Sequence, residues 1–114
     1  MCITFLIQHG CKSGAEFPFV FVFNREEDPN REAELLKFQT ARGMSNIVCG
    51  IDSQTSSTWF AFNTKTGDFA CLTNFRTMRN KTIKRKYESR GFLVMEYVKI
   101  NDPDIPEDKK LNLI

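Results

Sequence analysis

Residues 17–23 read FPFVFVF, a run in which Phe19, Phe21 and Phe23 fall on one face of a strand and Val20 and Val22 on the other. Side chains alternate across a strand with period two, so a strand apolar on both faces is expected to be covered on both sides. That reading places the segment in an inner layer of a layered sheet protein. Pro18 cannot donate to a ladder, so it belongs at the strand's beginning or at an edge. Just upstream, residues 2–8 (CITFLIQ) are rich in Ile, Thr and Phe and read as a second buried strand. The intervening GCKSG at 10–14 reads as a turn, which makes the pair an antiparallel hairpin.

Past the hairpin the pattern changes. Asp28 followed by Pro29 predicts the start of a short helix running to about Phe38, with Leu35, Leu36 and Phe38 as its apolar stripe. Residues 46–51, 58–63 and 69–74 read as strands, the last two joined by NTKTGD with Gly67 free to adopt positive φ. Ser89 is placed to cap a helix over residues 91–99, whose apolar face carries Phe92, Leu93, Met95, Tyr97 and Val98. Strands first and a helix last give an α+β or layered α/β order, with mostly antiparallel strands. Residues 1–100 read as one domain and 101–114, with Pro103, Pro106 and mixed charge, as a loop-like tail. One or two helices cannot cover both faces of such a sheet. The remaining cover is expected from a partner or from a second half of the domain.

Composition sets the outer bounds. A chain of 114 residues is one domain at most, or part of a larger one, and its 41% hydrophobic content with 11 Phe points to a packed protein rather than a disordered one. Its net charge of +2 does not impose a nucleic-acid partner. The cysteines Cys2, Cys11, Cys49 and Cys71 form no CxxC pair, and His9 is the sole histidine, so no metal site is expected. His9, at a strand end, reads as a turn residue rather than a haem ligand. The N-terminus lacks the basic and apolar regions of a secretion signal, and no run approaches the roughly 20 apolar residues of a membrane helix. An intracellular protein with reduced thiols, not a secreted one, is the expectation.

Five separated pieces then fall into order: Met1-Cys2, Asn24-Arg25-Glu26-Glu27, Gly50-Ile51-Asp52, Ser57-Thr58-Trp59, and GDFACLTNFR over residues 67–76. As a set they resemble the transport and Golgi organisation protein family, whose domain is named NRDE after an Asn-Arg-Asp-Glu motif. The resemblance spans residues 1 to about 100 and includes SRGFLVMEY at the helix start. Here Glu26 stands for the motif's Asp, and Ser56-Ser57 stand where the family carries a glycine pair before Thr-Trp. Family members are more than twice as long, so the resemblance implies the N-terminal half of the fold only.

What that resemblance implies is an N-terminal-nucleophile (Ntn) hydrolase-like αββα sandwich. It further implies a role in intracellular lipid, acyl-CoA or haem homeostasis and trafficking. In a cysteine-type Ntn enzyme, removal of Met1 exposes Cys2, whose α-amine (pKa about 7.7–8.0) can take the proton of its own thiol. By the same resemblance Arg25 would lower the thiol pKa, Asn74 would stabilise an oxyanion, and Glu26 or Asp52 would hold the α-amine or Arg25. Cys2 is then either an active nucleophile for an amide or thioester, or a vestige in a binding module. Against this stands the plain reading in which Cys2 is a buried strand cysteine, Arg25 a surface ion-pair residue and Asn74 a strand end.

The segment 76–90 concentrates Arg76, Arg79, Lys81, Lys84, Arg85, Lys86 and Arg90 against the single acid Glu88. Arg76, Arg79, Lys84, Arg85 and Lys86 are the candidates for gripping a phosphate or anion, on a ligand or at an anionic membrane surface. With Tyr87 as the lone aromatic, single-strand stacking is disfavoured, and a nucleic-acid-binding module ranks last. No cofactor is required, with haem a transported ligand at most. The partners expected are a lipid, acyl-CoA or haem ligand, peripheral membrane, and a second copy of the chain. A cytoplasmic location, with mitochondrial or Golgi association, follows from the resemblance.

Overall fold

A computed structural model describes residues 2–10, 14–73 and 89–110. Strands β1 (Ile3–Gln8) and β2 (Phe19–Asn24) pair antiparallel in a hairpin whose register runs from Ile3 opposite Asn24 to Gln8 opposite Phe19. Strands β3 (Lys37–Gln39), β4 (Met44–Cys49), β5 (Phe60–Asn63) and β6 (Phe69–Cys71) form a second antiparallel sheet in sequential order. Gly67, at φ 80°, closes the β5–β6 turn as its sequence context predicts. One helix, α1 (Gly91–Lys99), follows.

Three layers result, and the side-chain period explains them. On β4 and β5 the alternate residues Ile47, Cys49 and Ala61 face α1 and join Met44, Ile51, Val94, Met95, Val98 and Ile105 in the buried core. The other face of that sheet presents Phe60 and Phe69 to the hairpin. Phe21 stacks on Phe60 at 5.3 Å and tilts against Phe69 at 5.2 Å, while Phe23 stacks on Phe60 at 6.0 Å. Offset and tilted ring pairs at such separations add to area burial. The mixed, mostly antiparallel α/β sandwich expected from the sequence is therefore the fold observed.

Three expectations need correction. No helix starts at Asp28: its Oδ1 accepts the Asn30 N–H at 2.9 Å and its carbonyl oxygen accepts the Arg31 N–H at 2.9 Å, closing a turn instead. The intended apolar stripe then finds no surface, and Leu35 and Leu36 are 86% and 61% exposed. Second, the hairpin is covered on one side. Ile3, Phe5, Ile7 and Val22 share its outer face and all remain exposed. Third, the Ser89 hydroxyl sits 3.4 Å from the Gly91 N–H, too long for a firm cap, and bonds Ser57 Oγ at 2.8 Å.

Beyond α1, residues 101–110 fold back against the sheet and helix. Asp102 and Ile105 are buried. Asn63 Nδ2, itself buried, donates to the Val98 carbonyl at 3.0 Å and to Asp102 Oδ2 at 2.8 Å. Each polar group at this seam thus finds a partner, which is the condition for burying it.

A candidate cavity beside Arg25

The hairpin register fixes where Cys2 lies. The register ends with Ile3 opposite Asn24, so Cys2, just before β1, and Arg25, just after β2, lie at the same end of the hairpin. The Cys2 thiol is free and half-buried. The Thr4 hydroxyl and Arg25 Nε are buried with no hydrogen-bond partner among the described residues. Unmade bonds on buried polar atoms are uncommon, and both sit at this end of the sandwich.

Arg25 is held by three different contacts. Its guanidinium lies 3.9 Å from the Trp59 ring centroid, its Nη2 donates to the Arg31 carbonyl at 3.0 Å, and the same nitrogen is 3.8 Å from Asp52 Oδ2. A cation at that height over an indole face is attracted by the ring quadrupole. Asp52, 1% exposed, is the hub. Its Oδ2 accepts from Arg31 Nε at 2.7 Å, and its Oδ1 accepts the Gln54 and Thr55 N–H groups at 2.9 and 3.1 Å. One carboxylate therefore ties the segment after β2 to the loop before β5. Of the two residues expected to hold the α-amine or Arg25, Asp52 lies within 3.8 Å of Arg25 Nη2. The second carboxylate here is Glu27, whose Oε2 lies 3.5 Å from Arg31 Nη1.

Between the layers lies a cavity of about 430 Å³ walled by Phe21, Phe23, Leu36, Trp59 and Phe60, with Arg25 among its lining residues. Glu34, also in its wall, is drawn outward to Lys37 Nζ at 2.8 Å, and that contact holds its carboxyl below the ordinary glutamate range. An apolar chamber with one cation suits an amphipathic ligand carrying negative charge.

Several motif residues acquire physical reasons. A Cβ on Gly50 would stand 2.9 Å from the Glu34 carbonyl oxygen, so the backbone crossing beside the cavity needs glycine there. Ser56, at φ 54°, is the sole non-glycine with positive φ among the described residues, at the first of the two positions where the family pattern has glycine. Left-handed backbone costs an L-residue about 1–2 kcal/mol. Ser56→Gly is accordingly expected to raise the unfolding free energy by about 1 kcal/mol in urea titrations. A loss of stability would show that the serine side chain contributes more than its backbone costs.

Of the residues singled out in the sequence, Arg25 and Asp52 lie together at one end of the sandwich. Sequence reasoning missed Arg31, whose only signal is a cation a few residues after the Arg-Glu-Glu run. Trp59, 8% exposed, is buried with the core residues and also forms a wall of the cavity. Asn74, Arg76, Arg79, Lys84, Arg85 and Lys86 lie outside the described residues. Cys49 packs in the core, where burial pushes its thiol up to about 11, and Cys71 is exposed. No helix of the described residues is long and apolar enough to cross a membrane. A family model described as Transport and Golgi organisation 2 matches residues 1–111. No curated protein and no solved structure matches the chain.

Proposed function

The chain belongs to the Transport and Golgi organisation 2 family, and from that premise we propose that it binds an acyl-type amphiphile in the cavity beside Arg25, in a role in intracellular lipid or acyl-CoA homeostasis. The observation that carries this reading is the pairing of aromatic walls with one cation, Arg25, whose Nε lacks a partner. The apolar tail would lie against Phe21, Phe23 and Trp59, and the anionic end would reach Arg25. Haem, an apolar ring with two carboxylates, is the competing ligand of the same chemistry.

Hydrolysis at Cys2 is the second reading, supported by the hairpin register, which ends with Ile3 opposite Asn24 and so leaves Cys2 and Arg25 at the same end of the hairpin. With Met1 removed, the α-amine takes the Cys2 proton and the thiolate attacks the acyl carbon. The leaving thiol or amine departs with that proton, and water then cleaves the acyl-cysteine thioester. Arg25 would favour the thiolate by charge.

Trp59 is the one tryptophan of the chain, so it reports on its own cavity. Titration with palmitoyl-CoA is expected to shift its emission, with Arg25→Gln weakening the affinity at least tenfold, about 1.4 kcal/mol. No shift up to the solubility limit would overturn the binding reading, and a Soret band change with haem but no response to palmitoyl-CoA would transfer it to haem. For the second reading, Cys2→Ala is expected to abolish release of free CoA. Unchanged release by that variant sinks nucleophilic catalysis and leaves binding intact.

A further inference from the structure

On the opposite side of the four-stranded sheet, a second cavity of about 260 Å³ opens between α1 and the segment that folds back after it. Its apolar lining comes from Met44, Met95 and Ile105, each less than 10% exposed, with Phe92 beside them. Two of those side chains are methionines, whose unbranched thioethers adjust to varied ligand shapes. The charged lining is unequal: Arg42, Lys99 and Lys109 against the single carboxylate of Glu96. Glu96 is taken up by Lys99, and Arg42 reaches only an exposed Glu34 at 3.4 Å. Lys109 has no acidic partner among the described residues. Ser56, whose strained backbone was noted above, stands in the same wall. Strained residues persist where the surroundings hold them, often beside ligand sites.

An apolar pocket of this size, rimmed by surplus cations, is complementary to a carboxylate or phosphate carried on a short apolar group. We propose that this cavity is a second ligand site, for a small anionic amphiphile, separate from the one beside Arg25. The apolar part fills the space between Met44, Met95 and Ile105, and the anion sits toward Arg42 and Lys109. The tail after α1 is then part of a binding wall, because Ile105 and Lys109 both come from it. Nothing in the proposal depends on Cys2, Arg25 or Trp59.

The test follows the methyl signals of Met44 and Met95 in 13C-methyl-methionine protein during titration with octyl phosphate, octanoate, inorganic phosphate and octyltrimethylammonium. Octyl phosphate or octanoate is expected to shift both methyls saturably. Inorganic phosphate should bind at least tenfold more weakly, and the cation should not bind. Lys109→Glu combined with Arg42→Gln, two exposed positions, should weaken octyl phosphate at least tenfold while the melting temperature stays within a few degrees. Equal response to the cationic amphiphile, equal response to inorganic phosphate, no saturable shift, or unchanged affinity in the double variant would each overturn the proposal. Trp59 emission, unaffected by ligand at this site, separates its failure from failure of the cavity beside Arg25.

Discussion

Gly91→Ala is expected to lower the unfolding free energy by about 3 kcal/mol, at the upper end of the range for overpacking a filled site. In an ordinary helix the same change is favourable, because alanine is the better helix former by about 1 kcal/mol. Here the sign reverses. A Cβ on Gly91 would lie 2.5 Å from the Thr58 carbonyl oxygen and 2.5 Å from Ser57 Oγ, with Ser57 Cβ at 2.9 Å. The serine hydroxyl can rotate away, but the Thr58 carbonyl belongs to backbone leading directly into β5. Relief therefore requires α1 to move off the sheet, which loosens Val94, Met95 and Val98 in the core. Urea denaturation of the variant measures the loss. A change below 1 kcal/mol would mean that the first turn of α1 has room to shift without disturbing the packing behind it.

Asp52→Ala is expected to cost about 3–5 kcal/mol, the usual result of removing one partner from a buried ion pair. The cost has two sources. Arg31 and Arg25 lose the carboxylate that offsets their charge beside Trp59, and the Gln54 and Thr55 N–H groups lose their acceptor. Asp52→Asn keeps an oxygen for the two backbone donors and removes only the charge, so it should fall between the wild type and the alanine variant. Equal losses for the two substitutions would assign the whole effect to the ion pair. A loss under 1 kcal/mol for Asp52→Ala would show that the arginines find other partners and that Asp52 is no hub.

Much of this was legible in the residues, and the boundary is instructive. Gly67 between two alternating apolar runs is a local statement, and the β5–β6 hairpin follows from it. The helix at Gly91–Lys99 was readable as an element, but its face was not: Val94, Met95 and Val98 are buried, whereas Phe92, Leu93 and Tyr97 of the expected apolar face are exposed. The Asp28–Phe38 segment failed for a non-local reason. Arg31 is drawn to Asp52, 21 residues away, and Ala33 forms a β-bridge to the same distant residue. No pattern inside the segment announces that partner. The FPFVFVF run was read correctly as a strand, and its Phe face does meet Phe60 and Phe69. Its valine face looks the same to a periodicity argument, yet that face is left uncovered. Periodicity reports which faces are apolar and is silent on whether anything arrives to cover them. Cys2, Arg25 and Asp52 came from the order of short motifs, while the role of Trp59 needed the third dimension.

The cavity beside Arg25 has its two sides on different bodies: Phe21 and Phe23 belong to the hairpin, Trp59 and Phe60 to the four-stranded sheet. It exists only while the two are docked. Any molecule that fills it binds the docked form and not the parted one, so ligand and docking are linked by mass action. At a hundredfold excess over its dissociation constant, such a ligand adds about 2.7 kcal/mol to the docked state. A molecule bound there would be a cohesive element of the sandwich, joining two sheets that, among the described residues, meet through a few rings and through Arg25 and Arg31 on Asp52.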